Sequence, residues 1–295
     1  RRRSRRGTLL GVAVLALLCG YAAVTGLPRL LGGERPVRIG AKTFTEQYVL
    51  AEILAGQIRQ RTGLSTEVLA SLGSTVAFDA LRGGEIDVYV DYCGTLWTTI
   101  VRRPDVPASR EACREEVERF LHEEHGIELV APLGFENAYA LAMRRRDAVE
   151  RGIRTIGHLA PHAPRFRMGS DYEFLSRPEW RALVERYGLR FAEERSMDPA
   201  LMYQAAAQGD VDVISAFTTD GRIDALDLVV LVDERRAIPP YDALILAGPR
   251  IRREHPPVIA ALRELEGAIS ASHMRGLNAA VDSRGESPAS VARRF

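Results

Sequence analysis

The chain repeats part of its own sequence. "ALRGGEIDVYVDYCGT" (Ala80–Thr95) and "AAAQGDVDVISAFTTD" (Ala205–Asp220) align at a constant offset, pairing Gly84 with Gly209, Asp87 with Asp212, Val88 with Val213 and Tyr92 with Phe217. Each copy reads as a helix, a glycine stop, a short apolar strand and a polar loop opened by an aromatic. Two further echoes keep the same order: "VRIGAKTF" (Val37–Phe44) against "FRMGSDYEF" (Phe166–Phe174) and, more loosely, "YALAM" from Tyr139 against "YDALIL" from Tyr241. Self-similarity of this kind signals a duplicated architecture. Strands alternating with helices imply sheets covered on both faces, which bind ligands beyond the carboxyl ends of their strands. The repeat therefore predicts two α/β lobes that present Tyr92 and Phe217 across one cleft.

The coarse elements follow from periodicity and punctuation. Strands are predicted at Val37–Gly40, Glu67–Ser71, Ile86–Val90, Leu129–Ala131 and Tyr139–Met143. Helices are predicted at Thr45–Arg61, Thr75–Gly83 and Ser109–His125, and at Pro256–Ile269, His273–Val281 and Pro288–Arg294 near the chain's end. Thr43 or Thr45 is the expected N-cap of the first helix.

Charge is distributed unevenly. Residues 1–33 carry six Arg and no acid, although the whole chain of 295 residues has a formal net charge of only +1. The Arg cluster precedes an apolar stretch from Thr8 to Leu27, closed by Pro28. That pattern is a secretory signal or an uncleaved membrane anchor, assigned to residues 1–34, and it places the remainder outside the cytoplasm. The remainder is mildly acidic, so no global positive field attracts nucleic acid. Lys42 is the only lysine among 40 basic residues.

Catalytic signatures are missing. His122 and His125 are three apart, where a metalloprotease helix needs four. Ser74 lacks the flanking glycines of a hydrolase elbow. Neither "RGG" nor "GGE" is a phosphate loop. The residues read as a binding protein rather than an enzyme, with no cofactor and no metal site.

The segments "IGAKTFTEQYVLAEIL", "GSTVAFDALRGGEIDVYVDYCGTLWTTI", "ENAYALAM", "SDYEFLSRPEW", "AFTTDGRI", "IPPYDALIL" and "LNAAVDSRGESPASVA" resemble the substrate-binding proteins of glycine betaine/choline/carnitine ABC transporters. The resemblance runs from Val37 to Phe295. It implies a two-lobed α/β periplasmic-binding-protein-like fold of type II, with two hinge strands and a ligand cleft between the lobes. The first lobe would combine residues 35–137 and 241–295, and the second would span 138–240. It also implies an aromatic box for a quaternary ammonium at Tyr92, Tyr139, Phe217 and Tyr241. Such a cation is attracted to ring faces and cannot donate a conventional hydrogen bond. Asn137 and Asp91 would lie beside the box. Lys42, Thr95 and Arg177 would hold a carboxylate, Arg by paired hydrogen bonds and Lys by a point charge.

Two departures from the family pattern stand out. Phe217 lacks the hydroxyl of the usual Tyr. Cys93 stands where Thr or Ser is usual, and the same body holds Cys113. A disulfide between them competes with a buried free thiol, and the mid-helix position predicted for Cys113 favours the thiol. The implied function is extracytoplasmic capture of a quaternary-ammonium osmoprotectant and its delivery to an ABC permease, with membrane attachment through the N-terminal helix if it is uncleaved. The alternative is a tethered sensor, or a permease-fused binding domain for a related betaine such as ergothioneine.

Overall fold

The computed structural model describes residues 35–103 and 107–295. The expected signal or anchor at residues 1–34 lies outside the described residues. Among the described residues, no helix is long and apolar enough to cross a membrane.

Among the described residues, ten strands form two five-stranded sheets of matching design. In chain order they are β1 (Val37–Lys42), β2 (Thr66–Leu72), β3 (Val88–Tyr92), β4 (Glu128–Glu136), β5 (Tyr139–Arg144), β6 (Arg167–Ser170), β7 (Glu193–Ser196), β8 (Val213–Phe217), β9 (Leu228–Val230) and β10 (Asp242–Ala247). The first sheet runs β2-β1-β3-β10-β4 and the second β7-β6-β8-β5-β9. In each, the outer three strands are parallel and the fourth is antiparallel to the repeat strand. The chain leaves the first sheet after Glu136 and returns to it at Asp242. Strands β3 and β10 are buried along their whole lengths, as expected where helices cover both faces.

Helix α1 (Thr45–Thr62) packs on β1 on one side and on the C-terminal helices on the other. Its buried residues Val49, Leu50, Ile53, Leu54 and Ile58 therefore occupy a broad arc rather than a narrow stripe. Each such side chain contributes roughly 1.5–3 kcal/mol on burial. Neither Thr43 nor Thr45 caps this helix. Phe44 occupies the N-cap in extended conformation without a side-chain bond, because the Thr45 hydroxyl donates to Asp282 (2.6 Å) instead. Helix α2 (Ser74–Gly83) ends at Gly84, and α3 (Arg110–His125) starts after Ser109, whose side chain accepts from Ala112 N–H.

Several element boundaries differ from expectation. Strand β3 begins two residues later than read, because the N–H groups of Glu85 and Ile86 both turn back to the carbonyl of Ala80. Tyr92 is consequently the last residue of the strand, as Phe217 is of β8. The helix expected at Pro256–Ile269 ends at Arg263 and continues as turns. Helix α4 (Pro178–Tyr187) belongs to the second lobe, and α5 (Ala271–Asp282) packs on α1.

The two cysteines are bonded. Cys93 and Cys113 form a disulfide with their Cα atoms 6.5 Å apart, which corrects the preference for a free thiol. Cys113 lies in the first turn and a half of α3 on its buried face, so the helix presents its sulfur to the turn after β3.

Candidate functional site

The first lobe contributes a locked cluster. Lys42 ends β1, is almost fully buried and pairs with Asp91 Oδ1 on β3. Asp91 also accepts from Tyr89 Oη (2.8 Å) and from the backbone N–H of Tyr92 (2.7 Å). The Lys42 ammonium lies 5.1 Å from the centre of the Tyr92 ring. Tyr92 is only 4% exposed. Its hydroxyl donates to Glu46 Oε1 (2.5 Å) and accepts from Gln47 Nε2 (3.1 Å), both in the first turn of α1. Burial and the Glu46 charge push the Tyr92 phenol well above its ordinary value. Phe44, 38% exposed, stacks beside Tyr92 at 6.3 Å.

The second lobe contributes an open cluster. Tyr139 and Phe217 are register partners on β5 and β8, and their ring centroids are 4.5 Å apart. Buried Phe174 backs Tyr139 at 5.0 Å. Phe217 is 42% exposed. The Arg177 guanidinium sits 5.0 Å from the Tyr139 ring centre and makes a paired contact with Glu179 at 3.1 and 3.0 Å. Burial raises the Glu179 carboxyl, but the hydrogen bonds from Arg177, a backbone N–H and Tyr241, with the Arg177 charge, together outweigh it and hold the group below its ordinary value. Tyr241 joins this group by donating to Glu179 Oε1 (3.1 Å), and burial pushes its phenol up to about 12.

Contacts near the strand crossings join the clusters. Asn137 donates from Nδ2 to Glu46 Oε1 (3.2 Å) and from its backbone to the Tyr241 carbonyl (3.1 Å). Gly94, in the turn Cys93–Thr95, lies so close to Tyr241 that an added Cβ would stand 2.7 Å from the ring and 2.9 Å from the Pro240 carbonyl. Only glycine permits that approach, which brings Thr95's turn under Tyr241. A cavity of about 380 Å³ opens beside the junction, with Phe44, Glu46, Asn137, Phe217 and Asn278 among its walls. Asn137 and Phe217 are the two sequence-derived site residues that line it. Tyr139 faces a separate cavity of about 490 Å³, bounded by Glu136, Arg236 and Pro240.

The structure thus groups Tyr139, Phe217, Arg177 and Tyr241, and separately Lys42, Asp91 and Tyr92 around α1. Sequence reasoning missed Glu46, Phe44, Phe174, Glu179 and Asn278. Glu46 reads in sequence as an ordinary first-turn acid favoured by the helix dipole. Nothing local signals that it is buried.

Two α/β lobes of matching sheet topology, joined where the chain leaves the first sheet after Glu136 and returns at Asp242, define a two-lobed solute-binding protein. Residues 35–295 match the family described as the substrate binding domain of ABC-type glycine betaine transport system, and the chain belongs to that family. It is 32% identical over 296 residues to a glycine-betaine-binding protein of Pseudomonas aeruginosa, covering 95% of this chain and 92% of that one. It is 29% identical over 295 residues to an ergothioneine transport permease/ergothioneine binding protein of Helicobacter pylori, covering 99% of this chain but 53% of that protein. The chain therefore spans about half the length of that relative. A crystal structure of a glycine betaine/carnitine/choline ABC transporter matches with a TM-score of 0.84 at 29% identity, covering 88% of this chain and 97% of that one.

Proposed function

We propose that this protein captures a quaternary-ammonium solute of the glycine betaine, choline or carnitine class outside the cytoplasm and delivers it to an ABC-type permease. The observation that carries the reading is the Tyr139–Phe217 ring pair, with Phe217 open to solvent and a guanidinium on the neighbouring Tyr139 face. Rings of this kind attract a trimethylammonium by ~2 kcal/mol or more once water is excluded. In this proposal Tyr92 and Tyr241 complete the box, with Asn137 and Asp91 beside it. Residues 35–137 with 241–295 and residues 138–240 act as the closing lobes.

The carboxylate end would be held by Arg177, Lys42 and Thr95. Arg177 commits Nε and Nη2 to Glu179, while its Nη1 lies 3.8 Å from the exposed Glu173 carboxylate. That edge is the one offered to a ligand carboxylate. Lobe closure would then bring both ends of the site onto one solute, and the closed form is the one the permease would recognise.

Calorimetric titration with glycine betaine, choline, carnitine and ergothioneine tests the reading. Arg177→Ala is expected to weaken glycine betaine by roughly 2–5 kcal/mol and choline much less, because choline has no carboxylate. Equal losses would remove Arg177 from the site. The Helicobacter relative supports a second reading, a permease-linked domain for an ergothioneine-type betaine. A clear preference for ergothioneine in the same titration selects it.

A further inference from the structure

We propose that Glu46 is a positioning residue of the binding site, fixing the Tyr92 ring and Asn137 and tying both to the second lobe. This rests on the quaternary-ammonium reading above. Glu46 sits in the first turn of α1 and is only 2% exposed. Its Oε1 accepts from Tyr92 Oη (2.5 Å) and Asn137 Nδ2 (3.2 Å), and its Oε2 accepts from Asn278 Nδ2 (3.2 Å). Asn278 Nδ2 also donates to the carbonyl of Thr219 (2.9 Å), and the Thr219 side chain is a further donor to Glu46. Thr219 lies two residues beyond Phe217. One carboxylate therefore connects the paired aromatic strand ends of the internal repeat.

The amide orientations show what the arrangement favours. The Oδ1 atoms of Asn137 and Asn278 are buried without a hydrogen-bond partner. Flipping either amide would turn its oxygen onto the Glu46 carboxylate. Both side chains leave an acceptor unserved, a costly state for a buried group, and keep their donors on Glu46. This is the behaviour of donors organised around an anion. A phenol donating to a carboxylate also carries more electron density in its ring, which strengthens its attraction for a cation.

The charge on Glu46 is the controlling variable. Burial pushes its carboxyl above the ordinary value, against the hydrogen bonds from Thr219, Tyr92, Asn278 and Asn137. Other charged groups face the same region. Asp220 and Asp282 line the same cavity, Asp220 bound by Arg222 and Asp282 by the Thr45 hydroxyl. Lys42 lies near the Tyr92 ring but is paired with Asp91, and Arg275 on α5 is engaged by Asp224 and the Thr218 carbonyl. Protonating Glu46 replaces an acceptor with a donor and releases Tyr92 and Asn137. Cation binding must therefore weaken as pH falls through the raised pKa of Glu46.

The test is titration of the full chain with choline and glycine betaine, whose charges stay constant, at about pH 7.5 and at about pH 4, below the ordinary glutamate value. Wild-type affinity is expected to fall at least fivefold on acidification. Glu46→Gln is expected to bind several-fold more weakly than wild type at the higher pH and to show a flat profile. Asp242, pushed up to about 6 at the start of β10, titrates in both proteins, so the difference between profiles reports on Glu46. Tyr92→Phe keeps the ring and removes the donor. It is expected to lose similar affinity and to show a shallower profile than wild type, Asn137 alone still depending on the Glu46 charge, and it decides the matter if Glu46→Gln does not fold. Parallel profiles for wild type and Glu46→Gln, or wild-type affinity in Tyr92→Phe, overturn the inference while leaving the functional reading intact. A wild type that binds neither compound sinks both.

Discussion

The two repeat units share a backbone and differ in what they do with their ends. In the first lobe the N–H of Arg38 donates to Asp87 Oδ2 (2.8 Å) and the N–H of Asp87 returns to the Arg38 carbonyl (2.7 Å). In the second, Arg167 and Asp212 repeat the pair at 2.8 and 2.8 Å. Gly84 and Gly209 both adopt positive φ ahead of these aspartates. The strand ends then diverge: Tyr92 is packed and hydrogen-bonded, whereas Phe217 is open. Duplication preserved the turn that sets each strand in its sheet, and the ends specialised into a fixed wall and an open one.

Three substitution sets test that contrast, beginning with the aspartates. Asp87 is fully buried, and Arg250 grips it through Nε and Nη2 at 2.7 and 2.6 Å. Asp87→Ala leaves that guanidinium with only the longer contact to Glu254 (3.5 Å) and is expected to cost about 3–5 kcal/mol in urea denaturation. Asp212 has a side chain 20% exposed; of its two arginines, Arg167 is 40% exposed and Arg144 keeps Asp147 and the carbonyls of Ala206 and Val211 as partners. Asp212→Ala is expected to cost roughly 1–2 kcal/mol. Equal costs would erase the distinction between the lobes.

The aromatics come next. Tyr92→Ala is expected to lower stability by roughly 3–5 kcal/mol, because it opens a cavity. It also removes one of the four donors to Glu46 and the ring itself, so affinity falls as well. Phe217→Ala is expected to leave the unfolding midpoint nearly unchanged and to weaken quaternary-ammonium binding by about 1–2 kcal/mol. A Phe217→Ala variant that unfolds early yet binds normally would assign Phe217 to packing.

The smallest effect concerns the crossing strand. Asp242 starts β10, its Oδ2 has no hydrogen-bond partner, and burial raises its carboxyl to about 6 despite Arg110 nearby. The folded state therefore holds this proton to higher pH than the unfolded state, which releases it near 3.8. Stability is present below that lower value and is lost as pH rises to about 6. Asp242→Asn is expected to raise stability by on the order of 1 kcal/mol at neutral pH, with the gain vanishing below about pH 4. A gain independent of pH would exclude the ionisation as its cause.

Much of the fold was legible because it is encoded locally. The helix–glycine–strand grammar of each repeat lies within a few residues, so the topology could be read from spacing. The site was legible in part. Tyr139, Phe217, Arg177 and Tyr241 do come together, two of them through Glu179, which the linear pattern did not mark. The Cys93–Cys113 bond was misjudged, because helical position alone does not say which face meets a distant turn. Glu46 was missed for the same reason: its four partners come from four separate stretches of chain.

The placement of β10 also governs how the molecule can be assembled. This strand lies between β3 and β4, yet it is made only after every strand of the second sheet. A chain emerging N-terminus first completes the second sheet while the first remains in two unjoined pieces, β2-β1-β3 and β4. Closing the first sheet then requires pairing Tyr92 with Ala243 and Glu136 with Asp242, across the whole of the finished second lobe. Such long-range pairing is slow and leaves strand edges open meanwhile. The last strand to join the first sheet is therefore the natural bottleneck of its maturation, and the lobe that begins first finishes second.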